Sequence, residues 1–300
     1  MADIASVSLA RPLDDIAWEL GRSFTETGFA IVRDHGIDAD LIARAEEAAR
    51  VFFALPDAAK RAYHRPGTGG ARGYTPFGTE NAKGAQVHDL KEFWHVGRDL
   101  PTGHRYTRYM RPNIWPDEVA AFRPVMQDLF IAFEWAGRRV LSAIALHLGE
   151  GEDFFEDSVR DGNSVLRLLH YPPVPTAEEG AVRAAPHEDI NTITLLLGAE
   201  EAGLELRTRE GEWLPVQPHE GELAVNIGDM LQRLTASQLR STTHRVVNPV
   251  GEAAERSRYS MPFFLHFRPD YLIEPMGEDG DLPITAHAYL MERLREIGLT

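Results

Sequence analysis

Apolar residues along the first third of the chain recur at helical spacing. Over 14–24, Ile16, Leu20 and Phe24 fall four apart, which predicts an amphipathic helix closing near Gly28. The unbroken apolar run Phe29-Ala30-Ile31-Val32 then predicts a buried strand, and Asp34-His35-Gly36 a turn. Leu41, Ala45, Ala48 and Phe52 form one stripe over 39–53, a second helix stopped by Pro56. The glycine-rich stretch 67–78 is predicted as loop. The longest periodic segment, 124–148, repeats Met126, Leu129, Phe133, Ala136, Val140, Ile144 and Leu148 at three or four residues, with Pro124 and Gly149 as its punctuation. It reads as a scaffold helix and carries no chemistry.

From Ser164 the texture changes. Short β-type segments separated by Pro, Gly and acidic turns cover 165–170, 192–197, 204–208, 212–216, 223–227, 243–248 and 258–266. Strands at such intervals predict a sandwich or barrel, so the fold class is mainly β with flanking helices. A closing helix over 286–297 follows Thr285 as N-cap. No internal repeat and no low-complexity linker interrupts the chain, which predicts helices buttressing one β core. The expected division is an N-terminal region of helices and short strands (1–120), a scaffold helix region (121–160), a β core (161–275) and a C-terminal helix (276–300).

Composition narrows the chemistry. The 300 residues carry a net charge of −15, 43% hydrophobic residues, twelve histidines and no cysteine. The apolar fraction suits a large core and argues against disorder. A strong negative balance without any Lys/Arg run repels phosphate backbones and anionic membranes, so neither nucleic acid nor membrane is expected as a partner. Without cysteine there is no disulfide, iron–sulfur cluster or thiolate zinc site, and any metal must sit on His, Asp or Glu. The amino terminus has neither a basic start nor a long apolar stretch, and no apolar run approaches the roughly 20 residues of a spanning helix, which predicts a cytoplasmic protein.

Among the histidines, one subset has ligand spacing. In an extended chain His187 and Asp189 project to the same side and can meet one ion, while Glu188 points away. His244, opening the strand-like run 243–248, is the natural third ligand. Two imidazoles and one carboxylate occupy one octahedral face and leave three neighbouring positions for a chelating cosubstrate and dioxygen, which suits non-haem Fe(II). An isolated His-x-Asp is more often a packed or surface histidine, so the remaining pattern must decide. Fourteen residues beyond His244, Arg258 and Ser260 share one strand face. A guanidinium with a neighbouring hydroxyl suits the distal carboxylate of 2-oxoglutarate; taken alone, Arg258 is also a candidate for a surface ion pair.

These motifs resemble the 2-oxoglutarate- and Fe(II)-dependent dioxygenases of the isopenicillin N synthase-like family. The similar segments span most of the chain. They include Gly28 to Ile37, Phe53-Ala54-Leu55-Pro56 with Lys60, Arg72-Gly73-Tyr74, Asp89-Leu90-Lys91-Glu92, His170-Tyr171-Pro172-Pro173 and Asn226-Ile227-Gly228-Asp229-Met230-Leu231. The resemblance implies a double-stranded β-helix core, a jelly roll of cupin type. It further implies iron ligation by His187, Asp189 and His244, and 2-oxoglutarate binding by Arg258 and Ser260, with Tyr171 either a third contact or an aromatic packed under the barrel mouth. Two positions depart from the family pattern: Leu169 stands where the tyrosine element begins with Asn, and Ala236-Ser237 replaces an Asn-Gly turn before the second histidine. The first bears on the cosubstrate cradle, the second on a turn.

The implied reaction is oxidation, most simply hydroxylation, of a small-molecule substrate with O2, yielding succinate and CO2 from 2-oxoglutarate. Desaturation or cyclisation is the alternative within the family, and a zinc-dependent cupin-like hydrolase or isomerase, or a non-catalytic barrel, the alternatives outside it. Asp189 argues against halide transfer, which needs a small residue at that place. His147, His219 and His287 read as structural or solvated, His266 as packing near the pocket, Asp229 as a turn residue, and Glu278-Asp279 as a solvated face. Tyr74, Phe77 and Trp94 are candidate pocket liners and equally candidate core.

Overall fold

A short strand, β1 (Ser6–Ser8), precedes helix α1 (Leu13–Thr27), whose Ile16, Leu20 and Phe24 are buried. The helix ends where Gly28 adopts φ 75°, a left-handed conformation; a Cβ there would lie 2.3 Å from Thr242 Oγ1. The chain reverses into β2 (Phe29–Arg33) and then α2 (Ala39–Phe53), capped by the Asp38 carboxylate accepting from the Asp40 and Leu41 amides. The computed structural model describes residues 4–68, 70–79, 90–173, 183–198, 203–248, 254–277 and 281–296. Asp89, Glu278-Asp279 and Ile297, singled out in the sequence, lie outside them.

Next come α3 (Asp57–Arg61), β3 (Gly73–Thr75), β4 (Glu92–Gly97), the long helix α4 (Phe122–His147), α5 (Glu156–Val159) and β5 (Val165–Tyr171). The β-rich half continues with β6 (Ala184–His187), β7 (Ile193–Leu197), β8 (Leu204–Arg207), β9 (Trp213–Pro215), β10 (Leu223–Ile227), α6 (Asp229–Leu234), β11 (His244–Val246), β12 (Arg258–Ser260) and β13 (Pro262–Leu265). A two-stranded pair, β14 (Leu272–Ile273) and β15 (Ile284–Thr285), leads into α7 (Ala286–Glu296), where Thr285 Oγ1 accepts from the Ala288 amide as an N-cap.

Two sheets face each other. The larger runs β1-β2-β10-β7-β13-β5-β4-β3, with β12 also on β5, and the smaller runs β6-β11-β8-β9. Pairing between neighbours is antiparallel apart from β1 with β2. The outer face of the large sheet packs on α1, α2 and α4; there Phe133 stacks on Phe263 with ring centroids 5.3 Å apart. The inner face carries Phe29, Ala224 and Leu196 against Leu204, Leu206, Val216 and Val246 of the small sheet. This is a mainly β jelly-roll sandwich with helices outside. No described helix is long and apolar enough to cross a membrane.

Two expectations need correction. The stretch 67–78 is not all loop: β3 lies within it and pairs with β4, a strand whose polar Glu92 and His95 hide it from a hydrophobicity pattern. The run 258–266 is two strands, broken at Met261 before Pro262, which has no N–H to give to the ladder. The register on β5 nevertheless continues unshifted, Ser260 opposite Leu169 and Phe263 opposite Leu166, so Arg258, Ser260, Phe264 and His266 keep one parity.

Candidate active site

His187 ends β6, His244 opens β11, and the two are direct cross-strand partners with ring centroids 4.4 Å apart. Asp189 follows on the connection to β7, its carbonyl accepting from the Asp229 amide at 2.7 Å. One ligand atom from each of the three residues lies within 4.8 Å of the others. The Asp189 carboxylate stands 3.9 Å from His187 Nε2 through Oδ1 and 3.8 Å from His244 Nε2 through Oδ2.

Hydrogen bonds set how each group presents itself. His187 Nδ1 lies 2.7 Å from the Ala185 carbonyl and His244 Nδ1 3.0 Å from the Thr242 carbonyl. A carbonyl only accepts, so both rings carry the proton on Nδ1 and turn a bare Nε2 lone pair toward the common point. Asp189 Oδ2 accepts from Thr194 Oγ1 at 2.5 Å and Asn226 Nδ2 at 2.9 Å, which leaves Oδ1 as the open oxygen. Desolvation by the surrounding protein, with the neighbouring His244 adding to it, lowers the His187 pKa, although 41% of the side chain meets solvent. Burial alone would raise Asp189, but the two imidazoles and the Asn226 and Thr194 hydrogen bonds outweigh it and lower its pKa. Two imidazoles, each with Nδ1 engaged by a backbone carbonyl, and one carboxylate form a donor set that fits a divalent N/O-bound metal with open positions.

Thr194 and Asn226 escape a reading by motif, although a signal exists: each is the inward polar residue of an otherwise apolar strand, and they sit opposite one another in register. Arg258, Ser260 and Tyr171 come together on the inner face. Arg258 pairs with Tyr171 and Ser260 with Leu169, and all four side chains are buried. The Arg258 guanidinium lies 5.9 Å from the Tyr171 ring centre, and Arg183 approaches the same ring at 5.6 Å. Leu169, the departure from the family's Asn, clusters with Phe93 and Tyr171 and makes this wall apolar.

Other candidates lie elsewhere. Tyr74 and Trp94 face the helical core around Phe52, and Phe77 is on the surface. His147 packs against Gly21 and Thr25, His287 against Tyr109, and His219 sits in an exposed turn with Glu222. Asp229 is no mere turn residue: it is buried at the start of α6 and paired with Arg293 at 3.1 Å, with burial raising its pKa. A surface cleft of about 380 Å³ lined by Arg207, Arg209 and Arg240 contains none of the triad.

Residues 2–118 match the family model described as the N-terminal region of the non-haem dioxygenase in morphine synthesis, and 162–267 match the 2OG-Fe(II) oxygenase superfamily. A 2-oxoglutarate-Fe(II) type oxidoreductase of Aspergillus fumigatus is 32% identical over 89% of this chain and 83% of its own. A 2OG-Fe(II) oxygenase family protein from Caulobacter crescentus superposes with a TM-score of 0.92 at 51% identity, over 99% of this chain and 100% of that one. A full-length Neurospora crassa protein in complex with alpha-KG gives 0.85 at 27% identity, over 97% and 95%. The chain therefore belongs to the 2OG-Fe(II) oxygenase superfamily and is a 2-oxoglutarate- and Fe(II)-dependent oxygenase.

Proposed function

We propose that this oxygenase hydroxylates a small organic substrate, with His187, Asp189 and His244 holding Fe(II) and with Arg258, Ser260 and Tyr171 holding 2-oxoglutarate. The observation that carries the reading is the convergence of His187, Asp189 and His244, each offering one ligand atom within 4.8 Å of the others, with both Nδ1 atoms engaged by backbone carbonyls. Fe(II) bound there supplies the O2 chemistry that oxidises substrate while 2-oxoglutarate becomes succinate and CO2. Arg258 neutralises the distal carboxylate of the cosubstrate, Ser260 donates a second hydrogen bond, and the Tyr171 ring backs the guanidinium. Asn226 and Thr194 would hold the Asp189 carboxylate in place beside the two imidazoles. The apolar wall of Phe93 and Leu169 excludes water. The Neurospora crassa protein is also described in complex with alpha-KG and thymine, which supports a small-molecule substrate here. A reducing compartment such as the cytoplasm suits a cysteine-free chain.

The test is anaerobic addition of Fe(II) and 2-oxoglutarate, which should produce a visible charge-transfer band in the wild type and none in Asp189→Ala. A small-molecule library should then contain compounds that stimulate succinate formation in step with O2 uptake, and ¹⁸O2 should label the product hydroxyl. Wild-type activity in Asp189→Ala would sink the ligand assignment. A product lacking the label would redirect the reading to desaturation or cyclisation.

A further inference from the structure

Arg72 is 5% exposed, and its Nε and Nη2 have no hydrogen-bond partner among the described residues; only Nη1 is used, donating to the Ala71 carbonyl at 2.6 Å. A buried guanidinium with two idle N–H groups is costly, and burial pulls its pKa down to about 10. The carboxylate that acts on it, Asp99, is exposed and already accepts from Asn113 and Gln127, and makes no ion pair with Arg72.

The sequence accommodates this placement. The guanidinium lies directly over Gly97, where any Cβ would fall 2.0 Å from its Cζ, so the absent side chain at 97 is what lets Arg72 lie there. Gly97 is opposite Val165, and Val165 is opposite Phe264, so the group stands on the inner face two residues short of the level of His266. The His266 ring also has no partner among the described residues, and it lies within electrostatic reach of both Arg72 and Asp189. Along this face Arg258 and Ser260 come first, then Phe264, which is opposite the Thr194 that bonds Asp189, then His266. The metal position thus has the Arg258 pocket on one side and Arg72 with His266 on the other.

The idle edge of Arg72 is the one formed by Nε and Nη2, whose N–H bonds run parallel and match the two oxygens of a carboxylate. We propose that the substrate is a carboxylate-bearing small molecule, gripped through that edge of Arg72 beside His266, across the metal position from the 2-oxoglutarate pocket. This rests on the oxygenase reading above and adds the substrate class to it.

The test uses the wild-type protein loaded anaerobically with Fe(II) and saturating 2-oxoglutarate. Appearance of the charge-transfer band comes first, and its absence counts against the metal-site reading alone. Acetate, benzoate and 3-phenylpropionate are then titrated calorimetrically, each against its primary amide. At least one acid should bind about tenfold or more tightly than its amide, a preference that Arg72→Gln abolishes and Arg72→Lys, which keeps the charge without the fork, retains only in part. The wild-type comparison stands even where Arg72→Gln fails to fold. A loaded wild type that binds none of the acids, or binds acids and amides alike, overturns the proposal, as does Arg72→Gln with wild-type preference.

Discussion

Asp189 is a buried carboxylate made useful by two neighbours. Thr194 and Asn226 both bond Oδ2, which fixes the carboxylate plane, with Oδ1 nearest His187 and Oδ2 nearest His244. Removing one of these should loosen the ligand without removing it. Asn226→Ala is expected to keep its fold and to lose about 10- to 100-fold in Fe(II) affinity, the usual consequence of deleting a group that orients a ligand. Anaerobic metal titration with the charge-transfer band as readout checks it, and an unchanged affinity would show that Thr194 suffices. At this scale the triad was legible because His-x-Asp has a spacing that chain geometry turns into a common side. Asn226 and Arg72 stood within family-like segments, but their roles, like that of Thr194, were not legible, since each depends on a contact, or the lack of one, that only the folded sheets bring about.

At the level of elements, the turn after α6 departs from what local chemistry prefers. Ala236 and Ser237 adopt φ 47° and 64°, two successive left-handed residues without a glycine. Each costs about 1–2 kcal/mol relative to its ordinary backbone, less the entropy a glycine would lose on folding. Ser237→Gly should therefore stabilise the protein by about 0.5–1 kcal/mol in denaturant unfolding, with its activity unchanged. A second element depends on charge. The Glu92 carboxylate on β4 accepts two bonds from Lys60 Nζ at 2.8 and 2.9 Å, one from His170 at 2.7 Å and one from the Tyr74 hydroxyl, tying α3, β3, β4 and β5 together. Burial pushes the Glu92 pKa up, but the His170, Lys60 and Tyr74 hydrogen bonds prevail and its net shift is downward. A depressed carboxyl contributes fully above its unfolded value and loses that contribution as pH falls through the folded one. Glu92→Gln, which leaves buried Lys60 with only the exposed Asp57 carboxylate at 3.5 Å, should cost about 3 kcal/mol at neutral pH, and the gap from wild type should close on acidification. This network also explains which strands the sequence hid: β3 and β4 are held by polar bonds, while a strand with four apolar residues in five, such as β10 at Leu223–Ile227, was legible to the residue.

For the whole molecule, the site is a junction between the two sheets. His187 and His244 belong to the small sheet, whereas Asp189 is bonded to β7 and β10 of the large one. An ion shared by all three links the layers of the sandwich directly. The unfolded chain offers no such constellation, because His187 and His244 are then separated by 56 intervening residues of disordered chain. An ion held there would therefore bind the folded state selectively, and its binding free energy would become folding free energy. At Fe(II) one hundred times its dissociation constant the gain is about 2.7 kcal/mol. Spread over the unfolding entropy of a chain this long, that raises Tm by about 4 °C. The net charge of −15 attracts cations nonspecifically as well, so a rise alone is not enough. The discriminating comparison is anaerobic scanning calorimetry of wild type and Asp189→Ala with Fe(II), then with excess chelator. The wild type should rise by several degrees and fall back with chelator, while the variant, with an almost identical surface charge, should not move. Equal shifts in both proteins would mean that the ion stabilises from the surface and that the two sheets are not joined through this site.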